Sequence, residues 1–203
     1  MASLVGSRVE RKEDKKFLTG KGRYTADINI VNQTYACFVR SPHARAKINK
    51  VDITKASKAP GVVAVLTGDD LAQDKIGGMI AGWKIVSQDG KDMKVPPHPA
   101  LAKDSVNYVG DHVAVVIAET LEQAKNAAEL VSVSYKILKA VIDTSNAMNS
   151  EAIHEGIDRN LCFDFVLGDK GKTDDALSSA DKVVMLDLIN NRLIPNAIEP
   201  RAS

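Results

Sequence analysis

The 203-residue sequence predicts a mixed α/β fold, and three observations carry that expectation. Hydrophobic residues make up 44% of the chain but aromatics only 4%, so the core rests on Val, Ile, Leu and Ala. That composition suits parallel or mixed sheets, whose strands are buried on both faces. Strand-length apolar runs occupy residues 35–40, 62–66 and 113–118. Finally, residues 113–135 read as strand, amphipathic helix and strand in quick succession, the outline of an α/β unit.

Taken in order, the charged run at residues 8–16 predicts a short helix that stops at Gly20, where glycine accommodates a left-handed backbone. Lys21-Gly22-Arg23-Tyr24 reads as a turn. Residues 35–40 form a strand, which Ser41-Pro42 ends because proline cannot extend a ladder. Residues 47–53 alternate as a half-buried strand, and 54–59 suit a short helix stopped at Pro60-Gly61. A strand at 62–66 precedes a helical turn from Gly68. From residue 73 to 99 the pattern dissolves into glycines, prolines and charges, which predicts a long loop. Thr120-Leu-Glu-Gln123 fits a capping box for a helix bearing Leu121, Ala124, Ala127, Ala128 and Val131 at helical spacing. Residues 131–135 alternate as a strand. Beyond Leu138 the chain turns small and polar, predicting a boundary near 138–150. Residues 156–160 read as a turn, 160–167 as a strand, 173–180 as a helix and 182–189 as a strand.

Charge excludes some functions. With 27 Lys+Arg against 26 Asp+Glu, the net charge of +1 gives no global attraction for nucleic acid or anionic lipid. No stretch approaches the roughly 20 apolar residues of a membrane span, and the first residues lack a signal peptide's basic-then-apolar order. Two cysteines, Cys37 and Cys162, are too few to staple a secreted fold, which points to a cytoplasmic protein.

The chemical motifs are weak. His43, His98, His112 and His154 are scattered, and neither cysteine has a second ligand at zinc-site spacing. Gly171-Lys172-Thr173 imitates the end of a phosphate-binding loop, but Val166 stands where its first glycine should be. A turn and a helix cap at Thr173 account for it better, and Gly20-Lys21-Gly22 is no stronger. Cys37 and Cys162 read as small buried hydrophobes. Ser41-Pro42-His43 puts a hydroxyl near an imidazole without making a triad. Asp69-Asp70 and Asp174-Asp175 are paired acids expected where helices begin, in keeping with the helix dipole. Trp83, the sole tryptophan, sits in the 73–99 loop near Pro96-Pro97-His98-Pro99. It serves either a partner-docking surface or the cover of a local apolar patch.

Recognition comes from longer blocks. Residues 11–28, RKEDKKFLTGKGRYTADI, resemble the opening of molybdenum hydroxylase large subunits of the xanthine dehydrogenase and aldehyde oxidase family, nearest the aerobic carbon monoxide dehydrogenase type. Arg40-Ser-Pro-His-Ala-Arg45, the block from Pro60 to Leu71, that from Leu101 to Glu119 and that from Asn191 to Ala202 follow in family order. The resemblance implies an α/β hammerhead domain over 1–140, then a linker and the incomplete start of a molybdopterin-binding domain over 141–203. It implies a molybdopterin cytosine dinucleotide cofactor in the complete subunit, oxidation of a small substrate with water-derived oxygen, and partner subunits carrying iron–sulfur clusters and FAD. The family's Phe-Gly-Gly segment, its glutamine near molybdenum and its catalytic glutamate would all follow the Glu-Pro-Arg block. No catalytic, cofactor-binding or metal residue is therefore assigned, and the chain alone is expected to be inactive. Asn191 stands where the family pattern has glutamine. Glu199 and Arg201 match a family motif, and a carboxylate–guanidinium pair holding a turn explains them equally well. The alternatives are a non-catalytic docking module for redox subunits and a hydrolase using His43 or His112.

Overall fold

Apolar alternation becomes a strand where a neighbouring segment completes the ladder. The computed structural model describes residues 5–191, 193–197 and 199, and among these it contains six strands. They are β1 (Tyr35–Arg40), β2 (Ala46–Asp52), β3 (Val62–Thr67), β4 (Ser105–Val106), β5 (His112–Ala118) and β6 (Ser132–Ile137). The α-helices are α1 (Asp14–Leu18), α2 (Gly68–Gln73), α3 (Leu121–Ala128) and α4 (Lys170–Ser178).

The strands form two three-stranded sheets, in the orders β1-β5-β3 and β4-β2-β6. Every pairing is antiparallel. The mixed α/β class therefore holds, with antiparallel sheets where the composition suited parallel or mixed ones. The unit β5-α3-β6 would make parallel neighbours only if both strands shared a sheet. Instead β6 leaves β5 and pairs with β2, Tyr135 opposite Ile48 and Val133 opposite Val51.

Two apolar clusters hold these layers. Ala46, Ala102, Val106 and Val113 are buried together, with Ile48, Val51, Val133 and Tyr135 against them. On the other side Ala56, Val65, Val116 and Ala127 are buried, flanked by Ile53, Val62 and Val131. Central strand β5 feeds both, because Val113 and Val116 project from opposite faces of a period-two strand. Helix α3 buries Ala124 and Ala127, small side chains that let it lie close on the sheet. Its start follows the predicted cap: the Gln123 amide donates to Thr120 Oγ1 at 3.2 Å.

The C-terminal third departs from expectation. Residues 160–167 and 182–189 form no strand, although their composition suits one. Isolated bonds from Lys94 N to Cys162 O and Gln88 N to Asp164 O do not extend into a ladder, and Leu167, Met185 and Ile189 are about nine-tenths exposed. The helix predicted from Thr173 begins earlier, because Asp169 supplies the better cap and accepts the Lys172 amide at 3.1 Å. The predicted turn at 156–160 is present, with Gly156, Arg159 and Asn160 all at positive φ.

The chain divides into two compact units. One is Thr34–Val183; the other joins the residues before Thr34 to those after Val183. Within the second, the Glu199 carboxylate accepts from Thr25 N at 2.8 Å and Thr25 Oγ1 at 3.0 Å. Glu199 thus has a partner other than the guanidinium expected for it; Arg201 lies outside the described residues.

Candidate functional site

The larger unit concentrates its polar architecture where β1 ends beside β5. A register shift there sets Arg40 opposite His112 while Val39 faces Ala114. Beyond the bulge the chain is caught by backbone bonds: Ser41 N donates to Asp111 O and Gly110 N to Ser41 O, both at 2.8 Å. Residues 108–111 close a turn through Asp111 N and Tyr108 O, with Gly110 at φ +91° in the third position. A type II turn requires that left-handed residue, which explains glycine in Tyr-Val-Gly-Asp.

This geometry disposes of the hydroxyl–imidazole pair read from sequence. Ser41 is only 2% exposed. Its Oγ accepts from His43 N and donates to His43 O, each at 3.0 Å, so it staples its own turn. The His43 ring stands edge-on to Tyr135, centroids 5.0 Å apart. His112 lies stacked on Phe38 at 4.5 Å, its Nε2 buried without a hydrogen-bond partner. Burial first, and the Arg40 charge second, hold its pKa below the ordinary value. Neither histidine has the oriented nucleophile that hydrolysis needs.

Beside this corner lies an open cleft of about 530 Å³. Met79, Ile80, Val95 and Pro96-Pro97-His98-Pro99 form its lip; Ala102, Asn107, Tyr108, Asp111 and His154 line the rest. The 73–99 loop builds the lip as expected of a long irregular segment, but backbone bonds fix it. Met79 N donates to His98 O at 2.8 Å, Met93 N to Ile85 O at 2.8 Å and Lys94 N to Cys162 O at 2.9 Å. At Gly78 a Cβ would fall 2.5 Å from the His98 carbonyl oxygen, so only glycine allows that approach. Across the cleft His98 Nε2 lies 3.3 Å from the Tyr108 hydroxyl. Burial, then the Asp111 charge and its hydrogen bond, raise the Tyr108 pKa. Asp111 is 8% exposed and also accepts the Asn107 amide at 3.1 Å. His154 is held below its ordinary pKa by burial and then by Arg45.

Sequence reasoning missed this assembly because its members are far apart along the chain. It also missed Arg45, whose side chain is 11% exposed. Arg45 donates to Lys139 O at 3.1 Å and Ala152 O at 3.2 Å, tying β2 to the segment after β6. The signal available was an arginine inside an otherwise apolar–polar alternation.

The remaining candidates resolve into local structure. Asp70 Oδ2 accepts Thr67 N and Thr67 Oγ1, both at 2.7 Å, capping α2; the Thr67 bonds hold its carboxyl below the usual value. Asp69 pairs with Lys103 at 3.2 Å. Asp174-Asp175 does not begin a helix as expected but falls inside α4, where Asp174 pairs with Lys170. At Gly20-Lys21-Gly22, Lys21 N bonds back to Lys16 O at 2.8 Å with Gly20 at φ +69°, a helix-ending motif rather than a phosphate cradle. Cys37 and Cys162 are half-buried free thiols. Trp83 is 81% exposed.

The GKT turn does not fit the phosphates of a pterin cofactor. The GKT turn opens α4, yet its N-terminal amides face the Asp169 carboxylate, which satisfies Lys172 N and would repel a phosphate. Among the described residues no three His, Cys, Asp or Glu side chains gather as a metal set, and no helix is long and apolar enough to cross a membrane.

Comparison with known proteins places the fold. The aldehyde oxidase and xanthine dehydrogenase a/b hammerhead domain matches residues 19–139, more than half of the chain. The chain belongs to that family. The nicotine 6-hydroxylase large subunit of Paenarthrobacter nicotinovorans is 36% identical over 90% of this chain and 22% of its own length. The carbon monoxide dehydrogenase large chain of Afipia carboxidovorans is 32% identical over 96% of this chain and 24% of its own. Reconstituted CO dehydrogenase from Oligotropha carboxidovorans superposes with a TM-score of 0.67 at 30% identity, covering 87% of this chain and 22% of that one. These relatives are molybdenum hydroxylase large subunits, so the hammerhead expectation is met. The chain spans about a quarter of the length of the curated relatives it matches.

Proposed function

We propose that this chain supplies the hammerhead portion of a cytoplasmic molybdenum hydroxylase large subunit, with residues 1–140 as that domain and 141–203 as a linker and the beginning of a molybdopterin-binding domain. The observation that carries the reading is the hammerhead match over residues 19–139, on two antiparallel sheets. In the complete enzyme, molybdopterin cytosine dinucleotide would supply oxidation of a small substrate with water-derived oxygen, and electrons would leave through iron–sulfur and FAD subunits. In this reading the part played by these residues is structural: a preformed domain beside the chemistry. Elemental analysis of the purified 203-residue chain tests this. Molybdenum well below stoichiometry, with no oxidation of carbon monoxide, aldehydes or N-heterocycles, is expected; stoichiometric metal overturns the reading.

A second reading has its own observation. Trp83, exposed on the fixed 73–99 loop, is the residue type that anchors protein interfaces. A docking module for redox subunits would retain the iron–sulfur or flavin subunit in a pull-down, and Trp83→Ala would weaken retention at least about tenfold. No retention of either subunit removes this reading.

A further inference from the structure

We propose that the cleft between the 77–99 loop and the β4–β5 corner binds a small uncharged ring compound through a hydroxyl group. The cleft's size, about 530 Å³, lies within the range of small-molecule pockets, which are mostly apolar with a few converging polar groups. Met79, Ile80, Val95 and three prolines supply the apolar wall, while His98, Tyr108, Asp111 and His154 supply the polar one. The wall is preformed, because Gly78 admits the His98 carbonyl and Met79 N bonds it. A preformed wall lowers the ordering cost of binding.

Charge selects the ligand class. No lysine or arginine lines the cleft, so an anion finds no direct ion-pair partner there. Asp111 is the one acidic lining residue, and its carboxylate already accepts the Asn107 amide. A cation therefore gains little. His98 Nε2 and the Tyr108 hydroxyl lie within hydrogen-bond distance of each other at the cleft wall. A ligand hydroxyl can both donate and accept, so it can meet the Tyr108 hydroxyl or a His98 ring nitrogen in either tautomer. The ligand's ring meanwhile lies against proline and methionine.

Benzyl alcohol, benzoate and benzylammonium share one carbon frame and differ in charge, so they test the assignment directly. Each is titrated into the whole 203-residue chain while histidine side-chain NMR signals are followed. Saturable shifts at His98 with benzyl alcohol are expected, with benzoate and benzylammonium at least tenfold weaker, about 1.4 kcal/mol. Ile80→Glu, at a position 92% exposed and therefore safe for folding, should abolish the benzyl alcohol shifts. Tyr108→Phe should weaken them. No saturable shift, equal binding of either charged analogue, or indifference to Ile80→Glu would each overturn the proposal.

Discussion

Val116 and Leu186 belong to apolar runs of similar composition, yet Val116 is fully buried whereas Leu186 is 76% exposed. The first lies in β5, with β1 on one side and β3 on the other. The second lies in residues 182–189, where no strand forms. The contrast shows that alternation names a strand's faces but does not supply its neighbour. A ladder needs a second segment in register, and a buried face needs a second layer. Residues 34–139 provide both from within the chain. Residues 182–189 do not, so the same residue types remain at the surface.

The sharpest way to break this comparison is one substitution made in each region. Val116→Asp puts a carboxylate into a fully buried position with no partner, a change costing above about 4 kcal/mol. We expect loss of the cooperative unfolding transition by circular dichroism. A variant that still melts cooperatively near the parent Tm would show that the β5 core does not decide stability.

Arg45→Ala comes next. It removes two charge-assisted bonds and leaves the Lys139 and Ala152 carbonyls short of a donor. The expected loss is about 1.5–3 kcal/mol in urea unfolding. Lys should rescue little, since one ammonium does not reproduce a planar fork. Gly68→Ala should cost about 1–3 kcal/mol, because its Cβ would meet the Ala102 carbonyl oxygen at 2.6 Å. A neutral result for both would mean that the core tolerates movement where backbone and sheet are closest.

These residues also show what sequence could and could not disclose. The Thr120–Gln123 cap and Thr67–Asp70 pair are local, so spacing revealed helix starts at both places. Strands β1, β3 and β5 were legible because each is an uninterrupted apolar run. Two-residue β4 was not, since Ser105-Val106 carries no period and exists through its pairing with Ala46 and Lys47. Composition suited parallel or mixed sheets without fixing the pairing, which chain topology decided by sending β6 to the other sheet. The cleft escaped for the same reason: His98, Tyr108 and His154 meet through a fixed loop and a turn, neither visible in residue type. Family blocks placed the hammerhead because they integrate such long-range constraints without stating them.

Asp70 gives a smaller, pH-resolved effect. Its folded carboxyl is held below the ordinary 3.8 by the Thr67 bonds. A depressed folded pKa stabilises above the unfolded value, and that contribution disappears as pH falls through the folded one. Asp70→Ala should therefore cost about 1 kcal/mol at pH 7, with the gap to the parent closing as pH falls below 3.8. A gap that stays constant down the acid limb would mean that the cap acts through shape rather than charge.

Leu186→Asp is the weakest perturbation and the most direct control. It makes the same hydrophobic-to-acid change as Val116→Asp, but at a side chain already in water. Its expected cost is within about 0.5 kcal/mol, a Tm shift of roughly 1–2 °C. If instead it destabilised the isolated chain strongly, residues 182–189 would be packed in solution and the two regions would not differ as argued. A small effect on the isolated chain, joined to a large loss of binding to the remaining residues of a relative's large subunit, would identify this run as a strand whose neighbour comes from elsewhere. That result would turn the exposed apolar run from an unmet prediction into a conditional one: strand-forming, but only when a second segment supplies the ladder.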